Sequence, residues 1–178
     1  MARRIKKVSY DGHKVLVRWE IPKRGEFEGY ELESPDVPAP SFLAALQALR
    51  TEIATICELP ATWCADLDVR GVTCSYGGDK DTLSVTITAL KHVATANAPL
   101  VLNTPNLPAE PYNDTDDSST PVLEESTEAA VLALAAEACR YLEGHRAQSD
   151  LFPGGPGAAL APDAQPDTKP RKPKGKSS

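Results

Sequence analysis

Three histidines, four cysteines and a scatter of carboxylates are the residues whose types could do chemistry. A histidine works as an acid or base when a nucleophile or an orienting carboxylate stands within reach. His13, His92 and His145 fall in separate parts of the chain, and none has such a partner at a recognised spacing. His13 reads as a turn residue. His145 reads as a helix-end residue near the negative pole of the helix dipole. Cys57, Cys64, Cys74 and Cys139 are widely spaced and form no C-x-x-C pair, so they read as small core groups and not as zinc ligands. Asp79 and Asp81 with Asp66 and Asp68 could bind a metal, but carboxylates near turns are usually solvated. Asp114, Asp116 and Asp117 lack the glycine and closing glutamate of a calcium loop. Gly77-Gly78 lacks the lysine and hydroxyl residue of a phosphate-binding loop and reads as a hairpin turn. Asn103 to Pro108 is a rigid polar stretch that reads as a surface crossover, with a ligand site as the other option. No catalytic residue, metal site or cofactor site emerges. Enzymatic activity stays open, and a non-enzymatic role is favoured.

The elements that would position these residues follow from periodicity. Residues 3–10 and 14–21 read as two strands around Asp11-Gly12. Val15, Val17, Trp19 and Ile21 alternate with Lys14, Leu16, Arg18 and Glu20, the period of a strand with one face on a core. Pro22 and Gly25 break this pattern, and residues 27–33 read as a third strand. A proline-rich connector, Ser34 to Pro40, leads into a helix over 41–58. Its stripe is Phe42, Leu46, Leu49, Ile53 and Ile56. Residues 67–76 and 82–90 read as another strand pair, and 99–103 as a short edge strand. Residues 104–120 form a loop. A second helix is expected over 121–143, with Thr120 as N-cap and Gly144 as the residue that ends it. Leu123, Ala130, Leu134, Tyr141 and Leu142 make its apolar side. No internal repeat is visible. The order β-β-β-α-β-β-(β)-α argues an α+β fold. It would have a small, mainly antiparallel sheet of about five to six strands, two main helices and a disordered C-terminal tail.

The chain has 178 residues, 41% of them apolar and 6% aromatic, so the core rests on Leu, Val, Ile and Ala. The net charge of -6 argues against a nucleic-acid binder, which needs clustered cations. The charge is uneven, however. Lys169, Arg171, Lys172, Lys174 and Lys176 make the end basic, and weak DNA contact by that tail is possible in principle. No apolar run approaches the roughly 20 residues of a membrane span. No secretory signal is visible, and a cytoplasmic location is expected.

One short segment carries a specific signal. Gln148-Ser149-Asp150-Leu151-Phe152 resembles the peptide by which many bacterial proteins dock on the DNA polymerase sliding clamp, the β ring. That motif has a glutamine, a variable residue, a serine or aspartate, a leucine, and a phenylalanine or leucine. Gln148, Asp150, Leu151 and Phe152 match it. Its second position is usually aliphatic and here is Ser149, a departure that weakens docking. The resemblance implies that Leu151 and Phe152 fill an apolar pocket and that Gln148 makes orienting amide hydrogen bonds. The competing reading packs Leu151 and Phe152 back on the domain as a latch. The folded part resembles small uncharacterised proteins encoded in tailed-phage genomes, a group with no activity to carry over.

These readings divide the chain into an α+β domain (1–144), a clamp-binding-like peptide (145–152) and a basic Pro/Gly/Lys-rich tail (153–178). The function expected is a non-enzymatic interaction protein of phage or bacterial DNA metabolism, docked on the host clamp. The alternative is a phage small-molecule or protein-binding module, with its site on the folded domain, that antagonises a host defence.

Overall fold

The computed structural model describes residues 3–78, 80–111 and 121–147. The chain divides into two units, Met1–Gln148 and Ser149–Ser178, and the second lies outside the described residues. In the first unit β1 (Arg4–Tyr10), β2 (Val15–Lys23) and β3 (Glu26–Ser34) form a meander followed by α1 (Pro40–Ile56). A four-residue helix α2 (Ala61–Cys64) leads to β4 (Leu67–Gly77), β5 (Thr82–Lys91), β6 (Leu100–Asn103) and β7 (Leu107–Pro108). The last element is α3 (Glu125–Leu142). All pairings are antiparallel, in the order β3-β2-β1-β4-β5-β6, with β7 on β5. The fold is α+β, as the pattern of strands and helices argues.

The two halves repeat each other. Each is a meander followed by a helix, and they meet where β1 pairs β4 at Val8 and Val72. Each central strand also carries a register shift two residues before that valine, at Lys6 and at Arg70. No such repeat is visible in the sequence. The helices cover one face. Val15, Val17, Val69, Val85 and Ile87 on the sheet and Phe42, Leu46, Leu49 and Leu134 on the helices are almost fully buried. The rings of Phe42 and Tyr141 meet at 5.9 Å where α1 packs on α3.

Several boundaries differ from the sequence expectation for physical reasons. β2 runs on through Pro22, because β1 stops at the Arg4–Glu20 pair and asks no N–H of that proline. The expected crossover at Asn103 to Pro108 is instead the interrupted edge strand formed by β6 and β7. Between them Thr104 substitutes for the ladder: its N–H donates to the Ile87 carbonyl (3.0 Å), and its Oγ1 accepts from the Ile87 N–H (2.9 Å). The sheet is therefore six strand positions wide with seven segments. α3 starts at Glu125 and not at Pro121, because the Leu123 N–H is still held extended by the Pro108 carbonyl at 2.8 Å. The N-cap is Glu124, and Thr120 lies outside the described residues. Of the cysteines only Cys74 is buried; the other three are half-buried.

The Thr104 substitution gives a direct test. Thr104→Val keeps the shape and leaves the Ile87 N–H buried without its acceptor. It is expected to destabilise the domain by about 1–3 kcal/mol, read as a lower urea midpoint. It should also speed hydrogen exchange at Ile87.

Candidate functional site

Two places on the first unit bear on function: the point where the chain leaves it, and a trough on the open face of the sheet. The exit is built by local rules. α3 ends with Glu143 as C-cap and Gly144 at φ 95°. The Gly144 N–H donates to Tyr141 and the His145 N–H to Arg140, which is the glycine-terminated helix end that the sequence places here. The turn sends Arg146 and Ala147 alongside the connector after β3. Arg146 bridges Pro38 and pairs with the Asp36 carboxylate at 2.9 Å, with its guanidinium 4.8 Å from the centre of the Tyr141 ring. The Tyr141 hydroxyl donates to the Asp36 carbonyl at 2.8 Å. The Ala147 N–H donates to the Val37 carbonyl at 3.0 Å. Gln148, Asp150, Leu151 and Phe152, the expected clamp-binding residues, begin at the next position and lie outside the described residues.

The trough, of about 480 Å³, crosses the sheet from Glu33 on β3 to Leu90 on β5. Leu16 and Leu90 give it apolar walls, and Tyr10, Asp11, Lys14 and Arg70 bring polar groups. Both of its cations are already paired with carboxylates. Lys14 meets Glu33 at 2.5 Å and Arg70 meets Asp68 at 2.6 Å. Asp11 accepts from the His13 and Lys14 N–H groups, both at 2.8 Å, and these bonds hold its carboxyl below the usual range. The Glu33 carboxylate raises Lys14. A trough so neutralised has room for a small amphipathic molecule and no free acid–base pair to work on one.

The other chemically able residues are spread apart. No group of three metal-ligating side chains gathers among the described residues. Asp66 is matched by Lys91 (2.6 Å), Asp68 by Arg70 and Asp81 by Arg4, while Asp79 lies outside the described residues. His13, His92 and His145 are exposed at three different loops. Burial pushes the Cys74 thiol up to about 11, so it is protonated and inert at neutral pH. Sequence reasoning missed Arg70 and Arg146. Nothing in a one-dimensional pattern marks a bulge residue that reaches a trough or an arginine that straps a chain end.

The Asp66–Lys91 pair carries a pH prediction. The Lys91 ammonium, by hydrogen bond and by charge, holds the Asp66 carboxyl below its ordinary value. A carboxyl depressed on folding contributes stability that is present above the unfolded value and lost as pH falls through the folded one. Asp66→Asn should therefore lower the urea midpoint at pH 7. The gap from the unsubstituted chain should close below about pH 4. A gap that persists there would assign the effect to packing.

No protein-family model matches the chain, and neither a curated protein nor a solved structure matches it. No helix of the described residues is long and apolar enough to cross a membrane.

Proposed function

We propose that this chain is a non-enzymatic interaction protein of phage or bacterial DNA metabolism that docks on the bacterial sliding clamp through Gln148, Asp150, Leu151 and Phe152. The observation that carries the reading is the match of these four residues to the docking motif. Its position supports it. The last described hydrogen bond to the domain is donated by Ala147, so the motif starts one residue beyond the strap. A docking peptide gains most by burying a few apolar anchors, and Leu151-Phe152 supplies two in succession. The basic residues from Lys169 onward would then meet DNA at the raised effective concentration that docking provides.

The test is fluorescence polarisation of a labelled peptide spanning His145 to Gly155 against a purified bacterial clamp. Saturable binding is expected, weakened by Ser149 at the usually aliphatic position. A peptide that does not bind leaves the open-face trough as the place to look. In that second reading a phage module binds a small molecule or protein on the folded domain, and deleting residues 145–178 leaves the activity intact.

A further inference from the structure

β3 forms one long edge of the sheet. Its nine residues pair with β2, and no other described strand runs along its outer side. Hairpin geometry decides which of its groups point outward. Arg24 and Gly25 both have positive φ (54° and 90°), the two-residue turn whose flanking residues, Lys23 and Glu26, form a hydrogen-bonded pair. Such pairs alternate along an antiparallel ladder. Glu26, Glu28, Tyr30, Leu32 and Ser34 therefore bond inward to β2. Phe27, Gly29, Glu31 and Glu33 aim their N–H and C=O groups outward, where nothing described meets them. Pro22 agrees with this assignment, since it sits opposite Phe27 at a position that needs no N–H toward β3.

We propose that β3 pairs with β3 of a second copy of this chain, antiparallel about a two-fold axis at Tyr30, to make one continuous sheet across a homodimer. In this register Phe27 stands opposite Glu33 and Gly29 opposite Glu31, so the four outward residues of each copy meet outward residues of the other. Tyr30 stands opposite Tyr30, Glu28 opposite Leu32, and Glu26 opposite Ser34. The whole of β3 is used, and no glutamate faces another. Moving the axis to Glu28 or Glu31 sets two glutamates face to face. Moving it to Gly29 takes Glu33 and Ser34 off the ladder.

Charge, shape and exposure agree with that register. A charged edge ordinarily guards a sheet against pairing. Here three of the four glutamates are offset within the chain, Glu33 by Lys14, Glu31 by Arg18 and Glu28 by Lys23. Gly29 has no side chain, and a Cβ there would meet open space. That gap opens a depression of about 390 Å³ bordered by Lys6, Arg18 and Glu20. Glu31 of the second copy, opposite Gly29, would have room there, beside a Lys6 and an Arg18 that already pair with Glu20 and Glu31 of the first copy. Tyr30 is 40% exposed and stacks on Trp19 at 5.6 Å with the rings 14° apart. Pairing at the axis would extend that stack into a row of four rings. Residues Glu26 to Glu31 are all exposed, so the helix layer does not overhang that part of the edge; Leu32 is half-buried and Ser34, at the end of the strand, is buried.

The test is sedimentation of the full chain at concentrations up to ~100 µM, where a dimer with a Kd of about 100 µM is half-populated. A dimer is expected. Glu31→Pro removes an outward N–H and none that β2 uses, so it should leave circular dichroism unchanged and weaken the dimer about tenfold or more. The register is read separately. Tyr30→Cys should form an inter-chain disulfide under mild oxidation, because opposed residues at a non-hydrogen-bonded pair come within disulfide reach. Leu32→Cys should form about tenfold less, since its partner is Glu28, with the unsubstituted chain giving the background of the native cysteines. A monomer at the highest concentration overturns the proposal and leaves the edge to an extended peptide of another protein. So does equal cross-linking by the two cysteine variants. Neither outcome depends on whether the peptide after Ala147 binds a clamp.

Discussion

Replacing Leu151 and Phe152 by alanine in the full chain is expected to abolish measurable clamp binding while leaving the domain as stable as before. Fully burying a leucine or phenylalanine side chain contributes about 1.5–3 kcal/mol, so losing both removes about 3–6 kcal/mol. That corresponds to about a hundredfold to ten-thousandfold in affinity. Gln148→Ala should cost less, on the order of one hydrogen bond, about 0.5–1.5 kcal/mol. The discriminating readout is the pair of measurements, binding and stability. The rival role for Leu151 and Phe152 is a latch packed on the domain. It predicts a lower urea midpoint for the double variant, because a lost latch exposes its seat. The docking role predicts an unchanged midpoint and lost binding. Binding that survives the double change would remove the clamp from the account.

Element types could be read from the sequence wherever an apolar period coincided with a clear break. Of the α1 stripe, Phe42, Leu46, Leu49 and Ile53 are buried as its spacing requires, and Ile56 at the last turn is half-buried. The alternation in β5 buries Val85, Ile87 and Ala89, and Gly144 ends α3. What stayed hidden depends on partners far along the chain. Leu123 lies in the apolar period of α3, yet the Pro108 carbonyl fifteen residues earlier keeps it extended. Thr104 reads as part of a polar loop, and its pairing with Ile87 makes it a rung of the sheet. The repeated half leaves no mark in the sequence because equivalent positions share only backbone geometry. Lys6-Lys7-Val8 and Arg70-Gly71-Val72 flank the same junction with different side chains. The candidate peptide shows the opposite limit. Its signal lies wholly in residue types, and the fold contributes only the strap at Arg146 and Ala147 that comes before it.

That central junction carries the largest structural prediction. Gly71 pairs with Ser9 where β4 meets β1, and a Cβ built on it would lie 2.4 Å from the Val8 carbonyl oxygen. It would also lie 2.7 Å and 2.9 Å from the Cβ and Cα of Ser9. None of these atoms is the far end of a flexible side chain, so the clash can be relieved only by parting the strands. The β1–β4 ladder to which this pair belongs is the seam between the two halves among the described strands, so the strain cannot be shed at an edge. Gly71→Ala should destabilise the domain by about 3 kcal/mol, the upper end for overpacking by one carbon. For a domain near 150 residues that is a fall in Tm of about 6–12 °C. Gly29→Ala is the matched control. It sits on the outer strand with open space where its Cβ would go, and measured in dilute solution it should change stability by less than about 0.5 kcal/mol. Equal effects at the two glycines would mean that the β1–β4 seam is looser than its contacts describe. A large loss at Gly71 alone would show that the close approach of Val8 and Ser9 holds the two meanders in one sheet.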